Sequence, residues 1–371
     1  MGRPNVPDLP GLMRSVEDTL ASGWLSNDGP RLREFEAKIE EVSGASYCVA
    51  TNSGTSALQI TARALGMTGE VIVPSFTFIA TAHAFWWQNL KPVFVDVDPR
   101  THCIDVSQVE ERLSEGGSDI SGVCGVHLWG NLCDTEALDE LAAKFSVPVI
   151  YDGAHALACT TPSGVKFGAN GAAEVVSFHA TKFINAVEGG AVLTNDRELA
   201  EQLRQLRNFG LDETGDSRVC GLNAKLSEVG AAVGLHSLSH LDQIIKVNRR
   251  NHERYKSNLR GVPGINIVSP TDPEHSNCQY VVAEVTELSA GLSRQELGNY
   301  LRAEGVVAKS YFNPPCHKTE AYRTAISTPE LPVTDDLASK LVCLPTGLDT
   351  EPEDIDKICE LIGFICATAG K

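Results

Sequence analysis

DTEALDELAAKFSVPVIYD, residues 134–152, carries two periodicities on either side of Ser146. Apolar residues recur every three to four positions through 134–145, as one face of a helix requires. VPVIYD at 147–152 is then apolar almost without interruption, the pattern of a strand buried on both faces. The same alternation extends outward. VIVP at 71–74, PVFVDVD at 92–98 and EVVSF at 174–178 are further short β-branched runs between about residues 47 and 210. Continuously apolar strands separated by helices predict an α/β fold with a mostly parallel sheet between layers of helices.

Beyond that region the pattern shifts. Residues 225–260 read as two long helices, KLSEVGAAVGLHSL and a more polar one through Arg249, Arg250 and Tyr255. After GVPG at 261–264 come QYVVAEV, a helix around SRQELGNYLRAEG, KLVCLP, and a closing helix EPEDIDKICELIGFICA. These predict a smaller α+β unit. We expect a large unit at 1–245 and a small one at 246–371.

Composition narrows the function. A formal charge of −17 argues against nucleic acid, which demands a basic surface to displace counterions. Any anionic ligand must therefore be met by local donors. MGRPNVPDLP has no signal-type apolar core, and no stretch approaches the roughly 18 apolar residues of a membrane span, so a cytoplasmic protein is expected. The 11 cysteines, an odd number, show no C-x-x-C pair and no metal-ligand spacing with histidine. They predict small buried hydrophobes and no metal site.

Ligands collect at strand ends in such sheets. VPVIYD ends in Asp152, followed by Gly153, Ala154 and His155. EVVSFH leads to Lys182. In ATNSGTSALQITARALG at 50–66, Asn52-Ser53-Gly54-Thr55-Ser56 precedes a helical pattern and forms a phosphate-suited helix start. Separately, Ser53 or Thr55 reads as a helix cap, Asp152 as a turn residue, His155 as a satisfied histidine and Lys182 as a solvated loop residue. Together they match a cofactor bearing a phosphate, a ring nitrogen and an aldehyde, which is pyridoxal phosphate. Asp152 would keep the ring nitrogen protonated and Lys182 would form the Schiff base and carry the proton. Gly54, Thr55, Ser56 and the Ser177 hydroxyl would hold the phosphate.

In order along the chain, GWLSNDGPRLREFE, NSGTSAL, EVIVPSFTFIATAHA, KPVFVDVDP, VHLWGNLCD, VIYDGAHA, VSFHATKFINAVEGGAVLTND, LRNFG, GLNAKLSEVGAAVGL, YFNPPCHK and LVCLPTG resemble the DegT/StrS-type sugar aminotransferases of pyridoxal phosphate fold type I. The resemblance spans nearly the whole chain. It implies the roles given above for Lys182, Asp152, Thr55, Ser56 and Ser177, with the cofactor passing through its pyridoxamine form in turnover. It adds Phe78 as a ring stacked on the cofactor, and His155, where many members carry glutamine, as partner of the ring hydroxyl. It also adds Asn223, reaching the neighbouring subunit's phosphate site, and so a homodimer with shared sites.

L-Glutamate is the implied amino donor and a nucleotide-linked keto sugar the acceptor. SFHATK followed by EGG resembles enzymes acting at C4 of a 4-keto-6-deoxyhexose; those acting at C3 more often read SFYPxKN with GDxG. His179, Ala180, Thr181 and Glu188 follow the first pattern. The expected product is dTDP-4-amino-4,6-dideoxyglucose, with 3-keto sugars, cyclitols or a non-catalytic sensor as alternatives. The family's dehydratases replace the lysine with histidine, which Lys182 argues against. Tyr311 and His317 are expected near the sugar, and Arg249 and Arg250 are either diphosphate contacts or solvated helix charges.

Overall fold

The computed structural model describes residues 4–115, 119–161, 164–168 and 170–369; the first three residues of MGRPNVPDLP lie outside it. Seven strands form the main sheet: β1 (Tyr47–Thr51), β2 (Glu70–Pro74), β3 (Lys91–Val95), β4 (Ile120–Val126), β5 (Val149–Asp152), β6 (Ala173–Ser177) and β7 (Gly190–Thr194). Their order is β1-β7-β6-β5-β4-β2-β3. Only β7 runs against the rest, antiparallel to both β1 and β6. The architecture is α/β with a mostly parallel sheet, as expected.

Burial on both faces explains the unbroken apolar runs. Val71 and Val73 point into the cluster beneath helix Gly54–Ala64, with Ile60, Phe85 and Phe94. Ile72 points the other way, against Phe76, Val123 and Leu138. Burying each such side chain contributes about 1.5–3 kcal/mol, so polar residues are selected against on either face. Helix Thr135–Phe145 starts where Asp134 accepts a hydrogen bond from the Ala137 N–H at 3.1 Å and lays Leu138 and Leu141 on the sheet.

A second sheet of β8 (Ile265–Val268), β9 (Val281–Val285) and β10 (Leu341–Leu344) is antiparallel, in the order β10-β9-β8. Helices Arg294–Ala303 and Pro352–Ala369 cover it, through Leu297, Leu301, Ile355 and Ile362. Helix Leu241–Asn258 joins the two sheets, with Ile244 in a cluster of the first unit and Tyr255 in that of the second. We propose that the division into 1–245 and 246–371 runs through this helix. The later segment is not confined to its own unit: Cys316, Tyr322, Ile326 and Leu331 return to the core under helix Gly54–Ala64.

All eleven cysteines are free, and ten of them are buried. Among the described residues no helix is long and apolar enough to cross a membrane.

Candidate active site

The carboxyl ends of β4, β5 and β6 and the start of helix Gly54–Ala64 open onto a cavity of about 400 Å³. That volume suits a small-molecule ligand. Tyr280, Lys309, Tyr311 and Phe312, from the carboxy-terminal part of the chain, complete its wall.

Lys182 enters from the loop between β6 and β7. Ser177 pairs with Gly190 across the two strands. The Phe178 N–H donates to Gly189 O at 2.8 Å, and the Ala186 N–H donates to Phe178 O at 2.9 Å, so both ends of the loop are tied to the sheet. The Lys182 amine lies 3.4 Å from the Tyr280 hydroxyl. Burial lowers its pKa from 10.5 to about 8, with the Asp152 charge opposing part of the shift.

Asp152 ends β5. Its Oδ2 accepts from the Thr81 hydroxyl at 2.7 Å and its Oδ1 from the Ala154 N–H at 3.1 Å. Thr81 is itself fully buried and 2.9 Å from the Thr77 hydroxyl. These bonds fix the carboxylate on the cavity floor. His155 is buried, stacked on Trp129 at 5.5 Å and tilted against Tyr280 at 4.4 Å. Burial, with Lys182 adding to it, pushes its pKa well below the ordinary value, so the imidazole is neutral at neutral pH. Its Nδ1 has no hydrogen-bond partner among the described residues.

At the helix start, Ser53 is the cap, accepting from the Ser56 N–H at 3.1 Å. The Gly54 and Thr55 N–H groups have no protein acceptor among the described residues. Side chains are kept away from them: a Cβ on Gly190 would fall 2.5 Å from the Ser53–Gly54 backbone. Ser177 also lines the cavity, as does Phe78 at the helix entry of 79–86, a residue 56% exposed.

The structure thus brings together Gly54, Thr55, Phe78, Asp152, His155, Ser177, Lys182 and Tyr311. Other expected positions lie elsewhere. Ser56 turns its hydroxyl toward Asn52 Oδ1 at 2.5 Å and Ser53 Oγ at 2.8 Å, because the first helical turn points it away from the cavity. His317 is held behind the wall by Ser75 at 2.7 Å and Asp335 at 3.5 Å. Arg249 is taken by the carbonyls of Glu274 and Ser276, and Arg250 by Asn251 Oδ1 and Thr350 O. Neither arginine lines the cavity of its own chain. Asn223 is exposed outside it, with its carbonyl accepting from Asn52 Nδ2 at 3.2 Å.

Sequence reasoning missed Thr81, Tyr280 and Lys309. Thr81 stood within the EVIVPSFTFIATAHA motif, three residues beyond Phe78, so a helical-face count from that ring could have found it.

Residues 11–363 match the DegT/DnrJ/EryC1/StrS aminotransferase family. The chain belongs to that family. The aminotransferases of this family depend on pyridoxal phosphate. This member is 36% identical to the dTDP-4-amino-4,6-dideoxy-D-glucose transaminase of Shigella dysenteriae, over 97% of both chains. It is 31% identical to the Escherichia coli enzyme of the same name, over 97% of this chain and 96% of that one. Among solved structures it is similar to DesI, determined in the presence of its TDP-sugar product, with a TM-score of 0.94 and 42% identity, covering 100% of this chain and 93% of DesI.

Proposed function

We propose that this DegT-family aminotransferase moves an amino group from L-glutamate to C4 of dTDP-4-keto-6-deoxyglucose, giving dTDP-4-amino-4,6-dideoxyglucose. The observation that carries the transamination chemistry is the buried Lys182 amine, with a pKa of about 8, in one cavity with the fixed Asp152 carboxylate. The likeness to the Shigella enzyme over 97% of both chains and the His179–Thr181 and Glu188 pattern support the C4 assignment.

The residues present fit pyridoxal phosphate. Two free helix-start N–H groups suit its phosphate, an anchored carboxylate suits its ring nitrogen, and an unpartnered buried imidazole nitrogen suits its ring hydroxyl. Gly54, Thr55 and Ser177 would hold the phosphate, Asp152 the nitrogen, His155 the hydroxyl and Phe78 one ring face. The bound cofactor supplies an electron sink for the pair released when a proton leaves carbon. Lys182 does the proton work: a substantial fraction of neutral amine exists near pH 8, so its nitrogen can accept a proton and return it to a neighbouring atom. His155, neutral and rigidly stacked, donates or accepts one hydrogen bond without adding charge. Asp152 balances positive charge at its end of the cavity, its orientation kept by Thr81.

The site is composite in this reading. Asn223 closes the loop that begins at Asn208, its bridge partner, and this loop also exposes Phe209, Val219 and Leu222. Exposed apolar side chains grouped beside a polar one suit a second copy of the chain. The reading is tested by supplying purified holoenzyme and L-glutamate with dTDP-4-keto-6-deoxyglucose and, separately, with its 3-keto isomer. NMR of the product should show the amino group at C4. Amination at C3 alone, or of a cyclitol ketone alone, would overturn the C4 assignment.

A further inference from the structure

The cavity holds a second primary amine. The Lys309 N–H donates to Cys343 O at 3.1 Å, and the Cys343 N–H donates to Lys309 O at 2.7 Å. This isolated antiparallel bridge ties the segment to the edge of β10. Ala308 turns into the core of the small sheet, and the alternation of extended chain sends Lys309 to the cavity. The backbone is therefore fixed while the amine at the end of its four-carbon stem remains adjustable.

Lys182, the other amine, is held against the Tyr280 hydroxyl at 3.4 Å, and the remaining ionisable groups around the cavity have neighbours of their own. Asp152 is satisfied by Thr81 and Ala154. Glu188 lies 3.5 Å from His179. Arg294, on the neighbouring helix, is taken by Ser310 and by the carbonyls of Ala338 and Ser339. Lys309 has no ion pair among the described residues. It shares the carboxy-terminal wall of the cavity with Tyr280, Tyr311 and Phe312, a stretch that offers aromatic rings and hydroxyls but no carboxylate, Asp152 and Glu188 coming from the other part of the lining. A charge in such surroundings gains from an anionic partner more than a surface lysine does. The rest of the molecule, at −17, repels anions, so an anionic substrate gains most from a cation already inside the cavity.

We propose that Lys309 is the anion-recognising residue of the substrate part of this cavity, pairing with a negatively charged oxygen group that a substrate brings in. The proposal rests on the transaminase reading for the identity of the substrates. Two sources share the chemistry: a carboxylate of the amino donor and the diphosphate of the sugar nucleotide. Because a transaminase admits its two substrates in turn, one lysine can serve either or both.

The test uses cofactor-loaded wild type, Lys309→Met and Lys309→Arg, with the two half-reactions followed separately by absorbance. Glutamate is added to the pyridoxal form and the keto sugar nucleotide to the pyridoxamine form. Lys309→Met should weaken the apparent affinity for at least one substrate by about tenfold or more, and Lys309→Arg should recover most of the loss. Cofactor affinity and melting temperature should stay as in wild type. A loss confined to glutamate assigns the carboxylate, and a loss confined to the nucleotide assigns the diphosphate. Unchanged affinities in both half-reactions overturn the proposal. Calorimetry with glutarate and with inorganic pyrophosphate separates it from the transaminase reading. If wild type turns over neither substrate yet binds one of these anions only when Lys309 is present, the transaminase reading fails and the anion site stands. If it neither turns over substrate nor binds either anion, both fail.

Discussion

Lys182→Met should make the cofactor-free protein more stable at neutral pH, although it removes the amine proposed to move the proton in turnover. The amine is buried against Tyr280, and its pKa falls from 10.5 to about 8. A shift of that size corresponds to about 3 kcal/mol of preference for the neutral form. Part of the side chain reaches solvent through the cavity mouth, so about 1–3 kcal/mol is the expected range. The sign follows from proton counting. Below pH 8 folded and unfolded chains both carry the proton, and the folded state bears the whole penalty. Between pH 8 and 10.5 the unfolded chain holds the proton while the folded one has released it, so wild-type stability rises with pH. Above 10.5 the penalty is gone. Methionine has similar length and no charge, so its advantage should be largest at pH 7 and shrink toward pH 10. Urea unfolding of both apoproteins at pH 7, 8.5 and 10, followed by tryptophan fluorescence, measures this directly. Equal midpoints at pH 7, or an advantage that grows with pH, would refute the reasoning.

Two further outcomes are expected. Thr81→Val keeps the shape of a fully buried side chain and deletes the 2.7 Å hydrogen bond to Asp152, so it should cost about 1.5–3 kcal/mol in cofactor affinity and kcat combined. Thr81→Ser should restore most of it; fluorescence titration of the cofactor alongside kcat checks this, and a fully active valine variant would contradict the positioning role. Mixing inactive Lys182→Ala with inactive Asn223→Asp chains should return partial activity, because one site of each hybrid then holds both wild-type residues. No recovery after subunit exchange has been verified by mass spectrometry would rule out a shared site.

The parts of the fold and site legible in the sequence were those written in contiguous residues. β5 and Asp152 could be read because VPVIYD is apolar until its last residue, and Lys182 because it follows EVVSF within one loop. β4, ISGVCGV, carried a weaker signal: a Cβ on Gly125 would lie 2.9 Å from the Tyr151 ring, so packing demands glycine where strand propensity would prefer a branched residue. The partners of Thr81 and the place of Lys309 were hidden for another reason. Their meaning lies in neighbours far along the chain, 71 residues away for Thr81 and Asp152. Arg249 and Arg250 illustrate the converse. A helix pattern shows that two positive charges lie on its polar side, but it cannot show that the carbonyls of Glu274, Ser276 and Thr350 are waiting for them.

The single reversed strand, β7, also bears on the order in which the chain can assemble. Because β6 and β7 form a hairpin around Lys182, both ends of that loop are tied together within residues 173–194, while Asn5 and Ser237 brace its middle. Asp152, Ser177, the helix start at Gly54 and the outer strand β1 all precede Thr194 as well. An emerging polypeptide can therefore build the lysine, the carboxylate and the phosphate cradle before Tyr280, Lys309 and Tyr311 have been synthesised. On the proposed assignment the cofactor-facing half of the cavity can form early, whereas the substrate-facing wall waits for the end of translation.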